Sequence, residues 1–215
     1  IKFYLLSIPL IIFLGIFILI TIYLLKEGIN VISWKFLTQP PKYGMTKGGI
    51  FPCIIGTLWI GFISFLFSVP IGVLSGIYLS EYAKDSIFTE ILRGASRSLA
   101  GVPSIVYGLF GVALFVHFFN FGPSILSSGL TIGLMNLPWI ISTTEESLRA
   151  VPKSFKEASL ALGSTKWETI RYNVLPYAFP NIITGILLAM GRGMGETAPI
   201  LFTGVTFYSK TLPHS

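Results

Sequence analysis

Charged residues are scarce in this chain. Only 11% of its 215 residues are Asp, Glu, Lys or Arg, whereas ordinary soluble domains carry roughly 25%. So few charges cannot cover a water-facing surface, which excludes a soluble enzyme, a disordered tail, a coiled coil and a protein that binds nucleic acid through its own basic surface. The expected solvent is therefore a lipid bilayer.

Residues that carry chemistry are also scarce. The chain has one cysteine and two histidines, and it contains neither an H-E-x-x-H nor a G-x-S-x-G motif. The G-x-x-x-x-G-K-[ST] loop that cradles phosphates in ATPases is absent too, so any ATP must be hydrolysed on another chain. The sequence thus predicts no catalytic residue, no metal site and no cofactor site here, and lone Cys53 cannot form an internal disulfide.

What the chain has instead is long apolar stretches. Residues 3–25, 48–80 and 98–144 contain no charge at all. Because a spanning helix needs about 20 mainly apolar residues, these stretches predict one, one and two membrane spans. The first is longer than the apolar region of a signal peptide, about 7 to 15 residues, which favours a retained helix.

A fifth apolar stretch, residues 175–207, differs because it encloses Arg192 and Glu196. We therefore predict an all-α fold, a polytopic membrane helical bundle that forms a single domain over residues 1–215. Its five predicted transmembrane helices cover about 3–25, 53–79, 98–119, 125–144 and 177–205. A short helix on the membrane surface is expected at Asp85–Arg97, with Asp85 as its N-cap.

The distribution of Lys and Arg among the predicted loops indicates the orientation. With a cytoplasmic N-terminus, the inside segments hold nine basic residues: Lys2, Lys84, Arg93, Arg97, Arg149, Lys153, Lys156, Lys166 and Arg171. The outside segments then hold five: Lys26, Lys35, Lys42, Lys47 and Lys210. This bias predicts a multi-pass protein of the cell membrane with its N-terminus in the cytoplasm.

The cytoplasmic segment between the fourth and fifth spans predicts two short helices. Ser154 and Glu157 have the spacing of a capping box at a helix start, and Thr165 and Glu168 have the spacing of a second one. Gly163 lies between them, where a helix end favours a residue free to adopt positive φ. Such a pair of amphipathic helices is typical of a docking surface for a soluble partner.

Two other interpretations of this segment stay open. A bent pair of short helices also resembles a DNA-binding helix-turn-helix, but Glu157 and Glu168 would repel phosphates and the flanking spans would restrict entry into a groove. Alternatively, the helices lie on the membrane surface without a partner.

The same segment resembles the EAA loop of type I, or MetI-like, ABC importer permeases. EAS-x3-G-x9-N-x-LP at Glu157–Pro176 is similar to their pattern EAA-x3-G-x9-I-x-LP, with Ser159 in place of the second Ala and Asn173 in place of the Ile. The stretches Leu99–Gly111 and Gly191–Gly204 resemble phosphate-uptake (Pst) permeases, and GETAP within the second is similar to their PstA branch. We refer to residues 150–176 as the coupling loop.

The resemblance implies a permease subunit, not an enzyme, of an ATP-driven importer for inorganic phosphate. Expected partners are a second permease subunit, ABC ATPase subunits that bind ATP and Mg, and an extracytoplasmic phosphate-binding protein. Such permeases have six spans, so the five spans found here predict that the sixth helix is missing. The residues implied for ATPase coupling are Ser154, Glu157, Ala158, Gly163, Thr165 and Glu168. Alternatives are a permease for sulfate or molybdate, a membrane-embedded enzyme, or a channel.

Arg192 and Glu196 are the predicted substrate-path residues. An Arg at the bilayer centre costs roughly 2.5 to 3.5 kcal/mol, so it is expected to face a polar cavity or a partner. A guanidinium can donate two hydrogen bonds to one phosphate, and Glu196 can accept from a protonated phosphate oxygen. Gly191, Gly193 and Gly195 would allow another helix to approach closely. The alternative is an i,i+4 salt bridge that only joins helices.

Overall fold

The computed structural model describes residues 2–44, 46–84 and 86–204. The chain divides into an N-terminal unit, up to residue 54, and a larger unit from residue 55 onward. In the described residues all elements are helices except two antiparallel strands of two residues each, Pro41–Lys42 and Lys47–Gly48. The predicted all-α membrane bundle is confirmed.

The N-terminal unit begins with α1, Lys2–Gly28, whose side chains from Ile8 onward are almost all exposed. Exposed Ile, Leu and Phe all round a helix are expected where lipid is the solvent. A short helix α2, Trp34–Thr38, follows, capped by the Ser33 hydroxyl, which accepts from the Phe36 amide at 3.2 Å. The two strands form the hairpin after it.

The described residues contain four helices long and apolar enough to cross a membrane: Ile8–Gly28, Phe51–Tyr82, Ile125–Arg149 and Lys166–Met194. The second comprises α3, Phe51–Ile77, and a π-helical turn, Tyr78–Tyr82. The third is α6. The fourth comprises α8, Lys166–Thr169, a π-helical turn, Ile170–Val174, and α9, Leu175–Met194.

A bent helix pair supplies the fifth candidate span. Here α4, Ile87–Ala100, and the helix Ser104–Phe118 (α5, Ser104–Gly111, with a π-helical part) meet at 102°. The predicted span 98–119 therefore does not begin at residue 98, because Pro103, which lacks an amide hydrogen, separates the two helices. The cap of α4 is Ser86, which accepts from the Thr89 amide; Asp85, predicted for this role, lies outside the described residues.

An ion pair attaches α4 to α6. Arg93 Nε lies 2.7 Å from Glu145 Oε1, and a terminal nitrogen of Arg93 donates to the Leu79 carbonyl at 3.0 Å. The apolar side chains Ile87 and Phe88 are exposed on the same helix. Helix α4 thus has one side attached to α6 through an ion pair and an exposed apolar face.

The predicted fifth span also differs from the structure. Its helix starts at Lys166 and ends at Met194, and a separate helix α10, Ala198–Thr203, follows after a break. Closely spaced glycines weaken the helix before the break, and Pro199 suits the start of a new one. The predicted end at residue 205 lies outside the described residues.

The core of the larger unit is formed by α6 and α9. Ile140 and Leu148 of α6 pack with Ala178 and Ile182 of α9, and all four side chains are buried. Helix α3 approaches α6 so closely at Gly76 that a Cβ there would lie 2.6 Å from Thr144 Cβ. Small residues at such crossings are how membrane helices gain close packing.

Candidate functional site

The coupling loop folds into two helices joined at a glycine. Helix α7, Lys153–Ala161, ends just before Gly163, whose φ is +87°, and α8 begins at Lys166. A Cβ at Gly163 would meet nothing within 4 Å, so the backbone conformation and not the available space requires glycine. The positive φ predicted for this position is confirmed.

Of the two predicted capping boxes, only the second exists. Thr165 Oγ1 accepts from the Glu168 amide at 3.3 Å, and the Glu168 carboxylate accepts from the Thr165 amide at 2.7 Å. The Ser154 prediction is wrong, because the N-cap of α7 is Pro152 and no side chain caps this helix. Pro152 has a fixed φ and starts α7 two residues earlier than a cap at Ser154 would, so Ser154 lies inside the first turn.

A polar cluster, in which Ser159 and Thr169 are buried and Asn173 is exposed, joins the two arms of the coupling loop. Ser159 Oγ lies 3.0 Å from Thr169 Oγ1 and accepts from Asn173 Nδ2 at 3.0 Å. Ser159 and Asn173 are the two positions at which the sequence departs from the EAA pattern, and the structure pairs them. The sequence analysis did not connect these two residues. Two polar replacements of apolar residues within one motif are nevertheless a signal that their side chains contact each other.

The outer surface of the coupling loop is apolar in part. Leu162 is 89% exposed, and Leu160 and Trp167 are about half exposed. Glu157 and Ala158 are exposed beside them on α7. Exposed apolar side chains rimmed by polar ones are typical of a protein interaction site.

Arg192 lies near the C-terminal end of the helix Lys166–Met194, and Glu196 follows just after that end. Arg192 Nε is 3.7 Å from Glu196 Oε1, with side-chain exposures of 52% and 19%. This separation is an ion pair without a hydrogen bond. In the described part of the chain no hydrogen bond from Arg192 is present, so its donors are available to an anion.

The three glycines around Arg192 differ in their surroundings. A Cβ at Gly193 would lie 2.7 Å from Asn136 Nδ2, whereas at Gly191 it would meet nothing within 4 Å. At Gly195 it would meet only carbonyl oxygens of nearby backbone. Close approach of another helix is therefore a property of Gly193 alone.

A small cleft borders Gly193, between α3, α6 and α9. Its buried polar groups are Asn136 and Ser64, and Asn136 Nδ2 donates to Ser64 Oγ at 3.3 Å. Met190 and Met194 line the same cleft. Sequence reasoning missed this polar pair, whose only signal is an Asn and a Ser within charge-free stretches.

One uninterrupted helix, Lys166–Met194, connects the coupling loop to Arg192. At 1.5 Å per residue its 29 residues extend over roughly 42 Å, about the thickness of a bilayer. The sequence predicted a separate loop helix that ends near Pro176. The structure continues through this proline because a wider π-helical turn, Ile170–Val174, precedes it.

Comparison with known proteins identifies the class to which this fold belongs. Residues 68–209 match a family described as the binding-protein-dependent transport system inner membrane component. A structure of the MetNI methionine ABC transporter in an inward-facing conformation superposes with a TM-score of 0.57 over 68% of each chain, at 19% identity, and supports the fold alone. The chain belongs to this family of ABC transporter permeases, whose members are multi-pass membrane transport subunits and not enzymes.

Two curated relatives narrow the comparison. A probable ABC transporter permease of Bacillus subtilis, YqgI, is 39% identical over 181 residues, which cover 84% of this chain and 62% of the relative. The phosphate transport system permease PstA 2 of Mycobacterium tuberculosis is 39% identical over 178 residues, 83% of this chain and 58% of the relative. The chain thus spans about three fifths of the length of these relatives.

Proposed function

We propose that this chain is a permease subunit that carries inorganic phosphate across the membrane at the expense of ATP hydrolysed on a partner. The observation that carries the proposal is the single helix Lys166–Met194, which bears the coupling loop at one end and Arg192 at the other. Similarity to a phosphate permease supports the choice of substrate. The N-terminus is cytoplasmic in this proposal, as the Lys and Arg bias favours.

The exposed apolar surface of the coupling loop docks on the ATPase subunit. Leu162 and Trp167 provide the apolar contact, and Gly163 with the Thr165 capping box keeps the two helices at a fixed angle. Because α8 and α9 form one helix, movement of the docked loop displaces Arg192 as part of the same body. A second permease subunit completes the path, and an extracytoplasmic binding protein delivers phosphate.

Arg192 holds the anion during passage. Its guanidinium is half exposed and has an ion-pair partner at 3.7 Å, so a phosphate can replace that contact with hydrogen-bonded ones. Glu196 lies close enough to accept from a protonated phosphate oxygen and partly neutralises the Arg charge. Because Glu196 partly neutralises Arg192, the pair releases the anion more readily than an isolated Arg would.

In the assembled importer, Arg192→Gln is expected to reduce phosphate uptake at least about tenfold, because a hydrogen bond to a charged group contributes about 1.5 to 3 kcal/mol. Uptake of radiolabelled phosphate into proteoliposomes measures this, together with co-purification of the subunits. Arg149→Gln is the matched control, since Arg149 is 51% exposed and also pairs with a glutamate four residues away.

The outcome separates the candidate functions. Normal uptake by Arg192→Gln would remove this residue from the path. Inhibition of wild-type phosphate uptake by equal sulfate or molybdate would favour the wider oxyanion permease. Uptake that continues without ATPase subunits would identify a channel instead.

A further inference from the structure

Two lysines of the coupling loop contact the end of a helix to which the loop is not covalently adjacent. Lys156 Nζ, on α7, lies 2.6 Å from Glu81 Oε1. Lys166 Nζ, at the start of α8, lies 5.0 Å from the centroid of the Tyr82 ring, a cation–π distance. Both arms of the coupling loop therefore hold the last two residues of the helix Phe51–Tyr82.

The first of these contacts is largely shielded from water on the Glu81 side. The Glu81 side chain is 7% exposed and that of Lys156 25%, and Ser80 Oγ donates to the same carboxylate oxygen at 2.9 Å. An ion pair so removed from water is little screened by salt, and loss of one partner leaves a buried charge unpaired. The contact therefore joins the two elements firmly.

The helix Phe51–Tyr82 also lines the polar cleft, at residues closer to its N-terminal end. Gly61 and Ser64, both on α3, line the cleft beside Gly193 and Asn136. The cleft in turn borders the end of α9 that carries Arg192. A displacement of Glu81 and Tyr82 along or about the helix axis thus changes the cleft wall opposite α9.

We propose that Glu81, Tyr82, Lys156 and Lys166 form a lysine clasp through which the coupling loop moves the helix Phe51–Tyr82 together with α6 and α9. These four are positioning residues, and the inference rests on the proposed coupling of the loop to an ATPase. Covalent connection alone would move only α6 and α9. The lysine clasp adds a third helix, so both walls of the cleft follow the loop.

Breaking the lysine clasp is expected to uncouple transport from ATP hydrolysis. In the complete importer, Glu81→Gln, Lys156→Gln and Tyr82→Leu are each expected to lower the phosphate transported per ATP hydrolysed about fivefold or more, since coupling free energies between sites correspond to factors of about 5 to 150. ATP hydrolysis itself continues. Uptake and phosphate release from ATP are measured in the same proteoliposomes.

Three further variants distinguish coupling from stability. Tyr82→Phe keeps the aromatic face and is expected to retain the ratio, and the reversed pair Glu81→Lys with Lys156→Glu is expected to restore it. Arg149→Gln, which removes an ion pair within one helix, is expected to leave it unchanged. A wild-type ratio in Tyr82→Leu, or an assembled reversed pair that stays uncoupled, overturns the lysine clasp.

The same experiment tests the proposed function separately. A wild-type importer that shows no ATP-dependent phosphate uptake contradicts the proposed function. If the wild-type importer transports phosphate and Glu81→Gln transports as much phosphate per ATP hydrolysed, only the lysine clasp is contradicted.

Discussion

Gly163 shows how much of the coupling loop depends on a single backbone conformation. Its φ of +87° lies in the region that side chains with a Cβ rarely adopt, and open space surrounds the position. A substitution here therefore acts through backbone strain alone. The angle between α7 and α8, and with it the position of the apolar docking surface, depends on this one residue.

A β-branched residue at Gly163 is expected to uncouple the importer. Gly163→Val places a stiff side chain in a left-handed conformation that costs roughly 1 to 2 kcal/mol or more, so α7 shifts to relieve the strain. The transport-to-ATP ratio should fall about fivefold or more. Gly163→Asn is the control, because Asn tolerates positive φ, and it should retain most of the ratio. Equal ratios in the Val and Asn variants would refute this role.

The polar cluster within the coupling loop connects α7 to the turn that leads into α9. Ser159 is buried, and its hydroxyl contacts both Thr169 and Asn173. An unpaired buried polar group is costly, whereas replacement of both partners by apolar groups is close to neutral. Ser159 and Asn173 should therefore be energetically coupled.

A double-mutant cycle tests this coupling. Asn173→Ile alone is expected to destabilise the importer subunit by about 1 to 2 kcal/mol, because it leaves Ser159 with one partner fewer. Ser159→Ala alone should act similarly, and the double variant, which restores the EAA pattern, should cost less than the sum of the two. Thermal unfolding in detergent gives the values. Strictly additive effects would contradict the pairing.

The elements that the sequence predicts well are those defined by local chemistry. The positive φ of Gly163 and the Thr165 capping box follow from neighbouring residues and are confirmed. The break at Pro103, the cap at Ser86 and the continuous helix through Pro176 were not predicted, because apolar content locates a span but does not determine where its helix bends.

The membrane character of the chain follows from its lack of charge, but the contacts that join distant segments do not. Glu81 and Lys156 are 75 residues apart, and Ser64 and Asn136 are 72 apart. Nothing in either local sequence indicates the partner. Packing of α3 against α6 brings Ser64 to Asn136, and the fold of the coupling loop places Lys156 of α7 beside Glu81, so the lysine clasp and the cleft emerge from the structure alone.

In the proposed function, residue 192 faces an aqueous path whose open side changes with the state of the ATPase. An Arg192→Cys variant tests this when a membrane-impermeant thiol reagent is added from either side. The variant is made in a Cys53→Ser background, which removes the chain's single, exposed cysteine. Phe17→Cys, on the exposed apolar face of α1, is the lipid-facing control and should stay unlabelled. We expect the cysteine at 192 to react from one side in the nucleotide-free importer and from the opposite side when the ATPase is trapped with nucleotide. Labelling from the same side in both states, or from neither side, would contradict an alternating path at residue 192.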